Sequence, residues 1–260
     1  MAGRDRDPQQ LFDSALQGDR AALARLLSLI ERGGEPARHV GRLSYRHGGR
    51  AYTIGLTGAP GSGKSTLTSA TIGHVRALGL EVAVLAIDPS SPFSGGAILG
   101  DRVRMQEHAT DPGVFIRSMA TRGHLGGLSL ATPEAVRLLD ALGRELVLIE
   151  TVGVGQVEVE IAGKADTTIV VVNPGWGDSV QANKAGLMEI ADIFVINKAD
   201  RKGVAETRRD LEQMLELSQL GDWRPPILLT VASQGEGVDV LWKAIEEHRA
   251  HITASGELER

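Results

Sequence analysis

Residues 52–66 read Tyr-Thr-Ile-Gly-Leu-Thr-Gly-Ala-Pro-Gly-Ser-Gly-Lys-Ser-Thr. Tyr52 to Thr57 is an apolar, strand-like run. From Gly58 the string is a complete G-x-x-x-x-G-K-[ST] phosphate-binding loop: Gly58, Ala59, Pro60, Gly61, Ser62, Gly63, Lys64, Ser65 and then Thr66. Leu67, Ile72, Val75 and Leu78 follow near helical spacing. Strand, loop and helix therefore stand in the order that aims backbone amides, at the positive end of a helix, toward phosphate oxygens. The glycines let the chain approach an anion closely. Lys64 is placed to reach the β- and γ-phosphates, and the Ser65 hydroxyl to bind Mg2+.

Outward from this loop, strand-like runs lie near residues 81–87, 113–117, 145–151, 167–173, 192–197 and 226–231. Helical patterns separate most of them, clearest at 65–78, 132–142, 204–218 and 237–249. Several strands are near-continuous Val, Ile and Leu, as befits parallel strands buried on both faces. The alternation predicts an α/β fold: a three-layer phosphate-loop NTPase domain around a mostly parallel sheet. Residues 11–31 form an amphipathic helical pattern, with Asp19 as an N-cap and with Gly33, Gly34 and Pro36 ending it. The expected division is 1–48 as a tail and short N-terminal helical appendage, and 49–260 as the nucleotide domain.

Composition narrows the partners. The net charge is −5 with no basic stripe, which argues against nucleic acid. No run approaches the ~20 apolar residues that span a bilayer, and the N-terminus lacks a signal-peptide core. The chain has no cysteine, which fits a cytoplasmic setting and removes thiolate metal sites. The seven histidines do not group as metal ligands; His248 and His251 stand three apart, where solvent exposure is expected.

Polar residues gather at the C-terminal ends of the strand patterns, where open α/β sheets bind ligands. Asn197-Lys198-Ala199-Asp200 follows Ile193–Ile196. An N-K-x-D string there reads guanine. Asp200 can accept from the ring N–H and the exocyclic amine, Asn197 can meet the N7/O6 edge, and the Lys198 stem can lie along the ring. The turn Thr230-Val231-Ala232-Ser233 can support the guanine O6 through its amides, a weaker signal. Glu150-Thr151-Val152-Gly153 has the carboxylate-x-x-Gly form of a γ-phosphate sensor, Glu150 serving Mg2+ and Gly153 offering its amide. Asp88 and Asp101 are further candidate metal carboxylates. Val154 stands where Ras-like switches place a water-orienting glutamine, so intrinsic hydrolysis should be slow, with Gln156, a loop residue or a partner completing the site. Long polar loops at 89–100 and 119–127 flank the expected phosphate site. A third loop, 174–178, precedes Gln181 and Lys184; Asp178, Gln181 and Lys184 share a helical face, and Trp176 between glycines suggests a contact surface.

Together these strings carry a resemblance. The chain is similar to the MeaB/ArgK group of P-loop GTPases, in the G3E branch. The distinctive runs are Asp88-Pro89-Ser90-Ser91-Pro92-Phe93-Ser94-Gly95-Gly96, Gly100-Asp101-Arg102, Phe115 through Gly127, and Glu150-Thr151-Val152-Gly153-Val154-Gly155-Gln156. The resemblance implies a GTPase, binding GTP/GDP and Mg2+, that acts as chaperone for an adenosylcobalamin-dependent acyl-CoA mutase, typically methylmalonyl-CoA mutase, gating cofactor loading and protecting the enzyme. It also implies that the Asp178, Gln181, Lys184 segment is the additional switch facing the partner. Val157 and Val231 stand where the family usually has Ser, and Lys164, Asn173, Trp176 and Asn183 are atypical. Family members usually continue into a helical arm that makes a homodimer; this chain ends shortly after its last predicted helix, which puts a dimer of that form in question. Two alternatives stand beside this reading: a metallochaperone-type GTPase, and an ATP-using kinase of the arginine/ornithine transport kind.

Overall fold

A computed structural model describes residues 7–88, 105–120, 127–151, 164–175, 189–218 and 221–258. The N-terminal segment forms α1 (Pro8–Leu16), α2 (Arg20–Arg32) and α3 (Gly34–Tyr45). Each start has a local cause. Asp7 caps α1, with Pro8 in its first turn. The Asp19 carboxylate accepts from the amides of Ala21 and Ala22, at 2.8 and 3.1 Å, and so starts α2. Gly33 ends α2 in a conformation with φ +72°. The sequence reading left α3 out because Gly33, Gly34 and Pro36 look like terminators. Pro36 instead occupies the first turn of α3, where its missing N–H has no intrahelical partner to lose. Ala37, Val40 and Ser44 face inward from α3 at helical spacing.

The remaining elements are β1 (Tyr52–Gly58), α4 (Lys64–Ala77), β2 (Val82–Asp88), β3 (Val114–Ala120), α5 (Gly127–Ala141), β4 (Leu146–Thr151), β5 (Thr167–Val172), β6 (Ile193–Asn197), α6 (Val204–Leu217), β7 (Ile227–Thr230) and α7 (Val238–Ser255). Short 3-10 turns lie at Gln106–His108 and Ala232–Gln234. The strands form one seven-stranded sheet in the order β3-β2-β4-β1-β5-β6-β7, and every pairing is parallel. Helix α5 begins earlier than its sequence pattern, since Pro133 reads as a first-turn residue yet lies inside the helix.

Side chains alternate between the two faces. Ile54, Leu56, Val84, Leu148, Val171 and Val195 pack with α4 and α7. On the other face Leu85, Phe115, Val147 and Ile149 share a cluster with α1–α3 and α5, while Val170, Phe194 and Ile196 pack on α6. The N-terminal helices thus belong to the core over β2–β4. They also secure the sheet's edge strand: the Arg20 guanidinium donates to the Val114 carbonyl at 2.6 Å, and Arg117 on β3 pairs with Glu31 on α2 at 2.6 Å. No helix among the described residues is long and apolar enough to cross a membrane.

One expectation is overturned at the base of the sheet. His248 is buried, not exposed, at 3% relative exposure. It lies in the interior of α7, which runs six residues beyond the predicted end, and is held in a polar chain. Tyr52 Oη meets Thr167 Oγ1 at 2.5 Å, Thr167 Oγ1 meets His248 Nδ1 at 2.8 Å, and His248 Nε2 lies 3.4 Å from Asp192 Oδ1. Trp223 closes the site, its indole N–H donating to the Asp192 carbonyl at 2.8 Å. Burial pushes His248 down to about 4 and Asp192 up to about 6.

The two shifts act in opposite senses. Neutral His248 contributes stability that is present above pH 6.5 and lost as pH falls toward 4. Asp192 contributes stability that is present below pH 3.8 and lost as pH rises through 6. Between about pH 4 and 6.5 the pair should largely cancel. Asp192→Asn should make stability fall on acidification through that window, and His248→Asn should make it rise. Because each group faces the other and the Asp192 side chain is 29% exposed, about 1 kcal/mol is expected for each. Urea midpoints at pH 4.5 and 7 measure this; parallel pH profiles for the two variants would contradict it.

Candidate nucleotide site

The phosphate loop joins the central strand β1 to α4, beside the point where the strand order reverses. Gly58 ends β1 with φ +138°, and a Cβ there would run into the Val171 carbonyl on β5. Gly63 precedes α4 with φ +94°, and its missing Cβ leaves room for the Asn197 amide. At these two positions the glycine is required by contact as well as by dihedral.

Lys64 is 5% exposed, and its ammonium donates to the carbonyls of Gly58 at 2.8 Å and Ala59 at 3.1 Å. This folds the cation back across the loop, beside the first-turn amides of α4. One residue on, the Ser65 hydroxyl donates to Glu150 Oε1 at 2.6 Å. Glu150 is delivered by β4, where it lies opposite Leu56 of β1 and Ala86 of β2. A buried hydroxyl and a buried carboxylate thus converge at the start of α4. Two hard oxygen donors at a helix N-terminus beside a phosphate loop fit Mg2+. Asp88 ends the neighbouring β2, one residue past the Ile87–Thr151 pairing; its side chain lies outside the described residues. So do Asp101, Gly153 and Gln156, the Asp178, Gln181, Lys184 face, and Trp176.

Asn197 is the hinge of the site. It is 2% exposed, its amide N–H donates to the Ser62 carbonyl at 2.9 Å, and its Oδ1 accepts from Thr230 Oγ1 at 3.0 Å and from the Ala232 amide at 3.1 Å. One side chain therefore joins the phosphate loop, the end of β6 and the turn after β7. Lys198 is the one non-glycine residue with positive φ among those described, at +59°, and its ammonium donates to the Gly61 carbonyl at 2.6 Å. Its stem is thereby laid along the loop. Asp200 is exposed and lines a hollow of about 370 Å³ with Thr230, Val231 and Glu236.

Two expected roles change. The amides of Val231 and Ala232, assigned to the guanine O6, are engaged within the protein: Val231 donates to the Glu236 carbonyl at 3.1 Å, and Ala232 to Asn197. Ser233 stays exposed in the turn. Asn197 spends its oxygen and one N–H on the protein, which leaves a single N–H for a base edge. Sequence reasoning missed Thr230 as an orienting group. Its hydroxyl fixes which way the Asn197 amide faces, and the only sequence signal is a hydroxyl residue ending a strand beside the turn.

A protein of Pyrococcus abyssi named as a GTPase is 55% identical over 254 residues, covering 96% of this chain and 78% of its own length. The GTPase ArgK of Escherichia coli is 40% identical, covering 94% of this chain and 76% of its own. A crystal structure of a LAO/AO transport system kinase superposes with a TM-score of 0.79 at 30% identity, covering all of this chain and 80% of that one. The family model described as methylmalonyl Co-A mutase-associated GTPase MeaB matches residues 23–260. The chain belongs to the MeaB family of GTPases.

Proposed function

We propose that this chain is a switch GTPase that binds GTP and GDP with Mg2+, hydrolyses GTP slowly on its own, and serves in the cytoplasm as chaperone to an adenosylcobalamin-dependent acyl-CoA mutase, with methylmalonyl-CoA mutase the first candidate. The observation that carries the nucleotide half is the Asn197 bridge, which ties the phosphate loop at Ser62 to the turn after β7 at Ala232. The family's description as mutase-associated supports the mutase half.

In this reading the Lys64 ammonium exchanges the Gly58 and Ala59 carbonyls for β- and γ-phosphate oxygens. Ser65 and Glu150, with Asp88 and Asp101, hold the metal, which when bound neutralises charge on the phosphates. Asp200 and Lys198 select and cover the base, with Ser233 at the turn beside them. Gly153 offers its amide to the γ-phosphate, and Gln156 or a partner residue orients water. Residues 1–48 act as a tail and helical appendage that packs on the nucleotide domain and shares its core, and Asp178, Gln181 and Lys184 face the mutase.

Phosphate release under multiple turnover, with GTP and ATP in parallel, tests the first half. Slow GTP turnover accelerated by mutase, with ATP inert, is expected; equal use of ATP would overturn it. Pull-down of methylmalonyl-CoA mutase with GDP or a non-hydrolysable GTP analogue tests the second. Association that differs between the two nucleotides is expected, and no association in either state would sink the chaperone role.

A further inference from the structure

We propose that the chain carries a second ligand site, on the sheet face opposite α4 and α7, that takes a small amphipathic anion: an apolar body bearing one carboxylate or similar group. The site begins with the sequence of β1. Its Tyr52, Ile54 and Leu56 fill the cluster under α4 and α7. The alternate residues are Thr53, Gly55 and Thr57, so the other face of the central strand supplies no aliphatic side chain, and neither hydrophobic cluster on that face includes a β1 residue. Helix α5 packs beside this shallow stretch and leaves a cavity of about 440 Å³. That is within the range of ~300–1,000 Å³ typical of small-molecule sites.

The walls state what the occupant must be. Ile149, Val136 and the ring of Tyr45 supply apolar surface. Thr132 also lines the cavity; it is 3% exposed and its hydroxyl has no hydrogen-bond partner, an uncommon condition for a buried polar group. Arg137 and Lys164 stand at the cavity, both exposed, and neither enters an ion pair among the described residues. The one carboxylate among the described lining residues, Asp140, is already taken by the amides of Gly49, Arg50 and Ala51, the last two at 3.0 and 2.9 Å. The Thr53 hydroxyl is likewise spent on Asp166 at 2.7 Å. What remains open is an apolar slot, the buried Thr132 hydroxyl and two cations. A neutral apolar molecule would cover the walls and leave the cations unmatched, and an organic cation would be repelled. An anion with an apolar body answers all three features.

The test uses octanoate as probe, with octylammonium as its charge-reversed counterpart, and protein-observed methyl NMR on the full chain without nucleotide. Octanoate should shift the methyl signals of Val136 and Ile149 saturably, and octylammonium should bind at least about tenfold more weakly. The double variant Arg137→Glu/Lys164→Glu, at exposed positions that leave the fold intact, should weaken octanoate at least about tenfold. Val136→Trp, which fills the slot, should abolish the Ile149 shift. Absence of a saturable shift at Val136 and Ile149 would overturn the proposal. So would equal binding of the two probes, or octanoate binding undiminished in both variants. Because no nucleotide is present, the outcome is independent of the GTPase reading.

Discussion

Asp200→Asn should weaken GDP binding about 100- to 1,000-fold and turn the preference toward xanthine nucleotides, with folding unaffected. The argument starts from exposure. Asp200 is open to solvent at the rim of a hollow beside Lys198, and no described side chain pairs with it. An exposed carboxylate without a partner contributes little to stability, so its replacement should cost well under 1 kcal/mol of folding. For the bound base the position matters far more. Hydrogen bonds to a charged acceptor contribute about 1.5–3 kcal/mol each, and guanine offers two N–H groups to one carboxylate. The two together contribute about 3–6 kcal/mol, and Asn keeps one oxygen acceptor, so a loss of about 3–4 kcal/mol is expected, which is the stated fold-change. Asn presents an N–H where the carboxylate had only oxygen. It therefore clashes with the guanine donor and matches the xanthine carbonyl. Mant-nucleotide titration of wild type and variant with GDP, XDP and ADP measures the change. An unchanged GDP:XDP ratio would mean that Asp200 does not read the base. Loss of all nucleotides alike would place the fault in the loop.

The strand positions, the phosphate loop and the N-K-x-D string were legible because each is written locally. A β-strand buried on both faces announces itself as a run such as Ile193–Ile196, and the loop's glycines mark where backbone must approach backbone, as Gly58 does at Val171. What was hidden was set by partners distant in sequence. Helix α3 was lost because Gly34 and Pro36 carry a terminator's pattern that is equally acceptable in a first turn. His248 looked peripheral by its place in the chain, yet Thr167 on β5 and Asp192 just before β6 are its neighbours from more than fifty residues upstream. The turn at Val231–Ala232 resembles a base support, but whether its amides are free depends on Glu236 and Asn197, which no periodicity reveals. The cavity over Thr53 was missed for the same reason: small residues in a strand read as tolerated substitutions until the opposing layer is known.

Asn197→Ala should then be the most damaging single change at the site for stability as well as binding. The side chain is 98% buried and makes three hydrogen bonds, to the Ser62 carbonyl, the Thr230 hydroxyl and the Ala232 amide. Ser62 and Thr230 are at most 1% exposed and Ala232 is 6% exposed, so water cannot readily replace the lost partner. Each stranded group costs about 1–3 kcal/mol. Allowing for local relaxation, the total is about 3–5 kcal/mol, a large part of the ~5–15 kcal/mol that holds a typical domain folded. For a chain of 260 residues that corresponds to a fall in Tm of about 5–10 °C. Asn197→Asp separates bridge from bulk. It keeps the acceptor for Thr230 and Ala232 but sets a buried carboxylate oxygen against the Ser62 carbonyl, so it should lose affinity for every guanine nucleotide and also melt below wild type. Ser233→Ala, in the same turn but exposed, should melt within about 1–2 °C of wild type. Saturating GDP should raise the Tm of Asn197→Ala less than that of wild type, because the weakened site couples less binding free energy to folding. Thermal melts of the three variants with and without GDP decide the matter. If Asn197→Ala melts with Ser233→Ala, the side chain does not tie the loop to the turn, and the rigid two-ended site inferred from it does not exist.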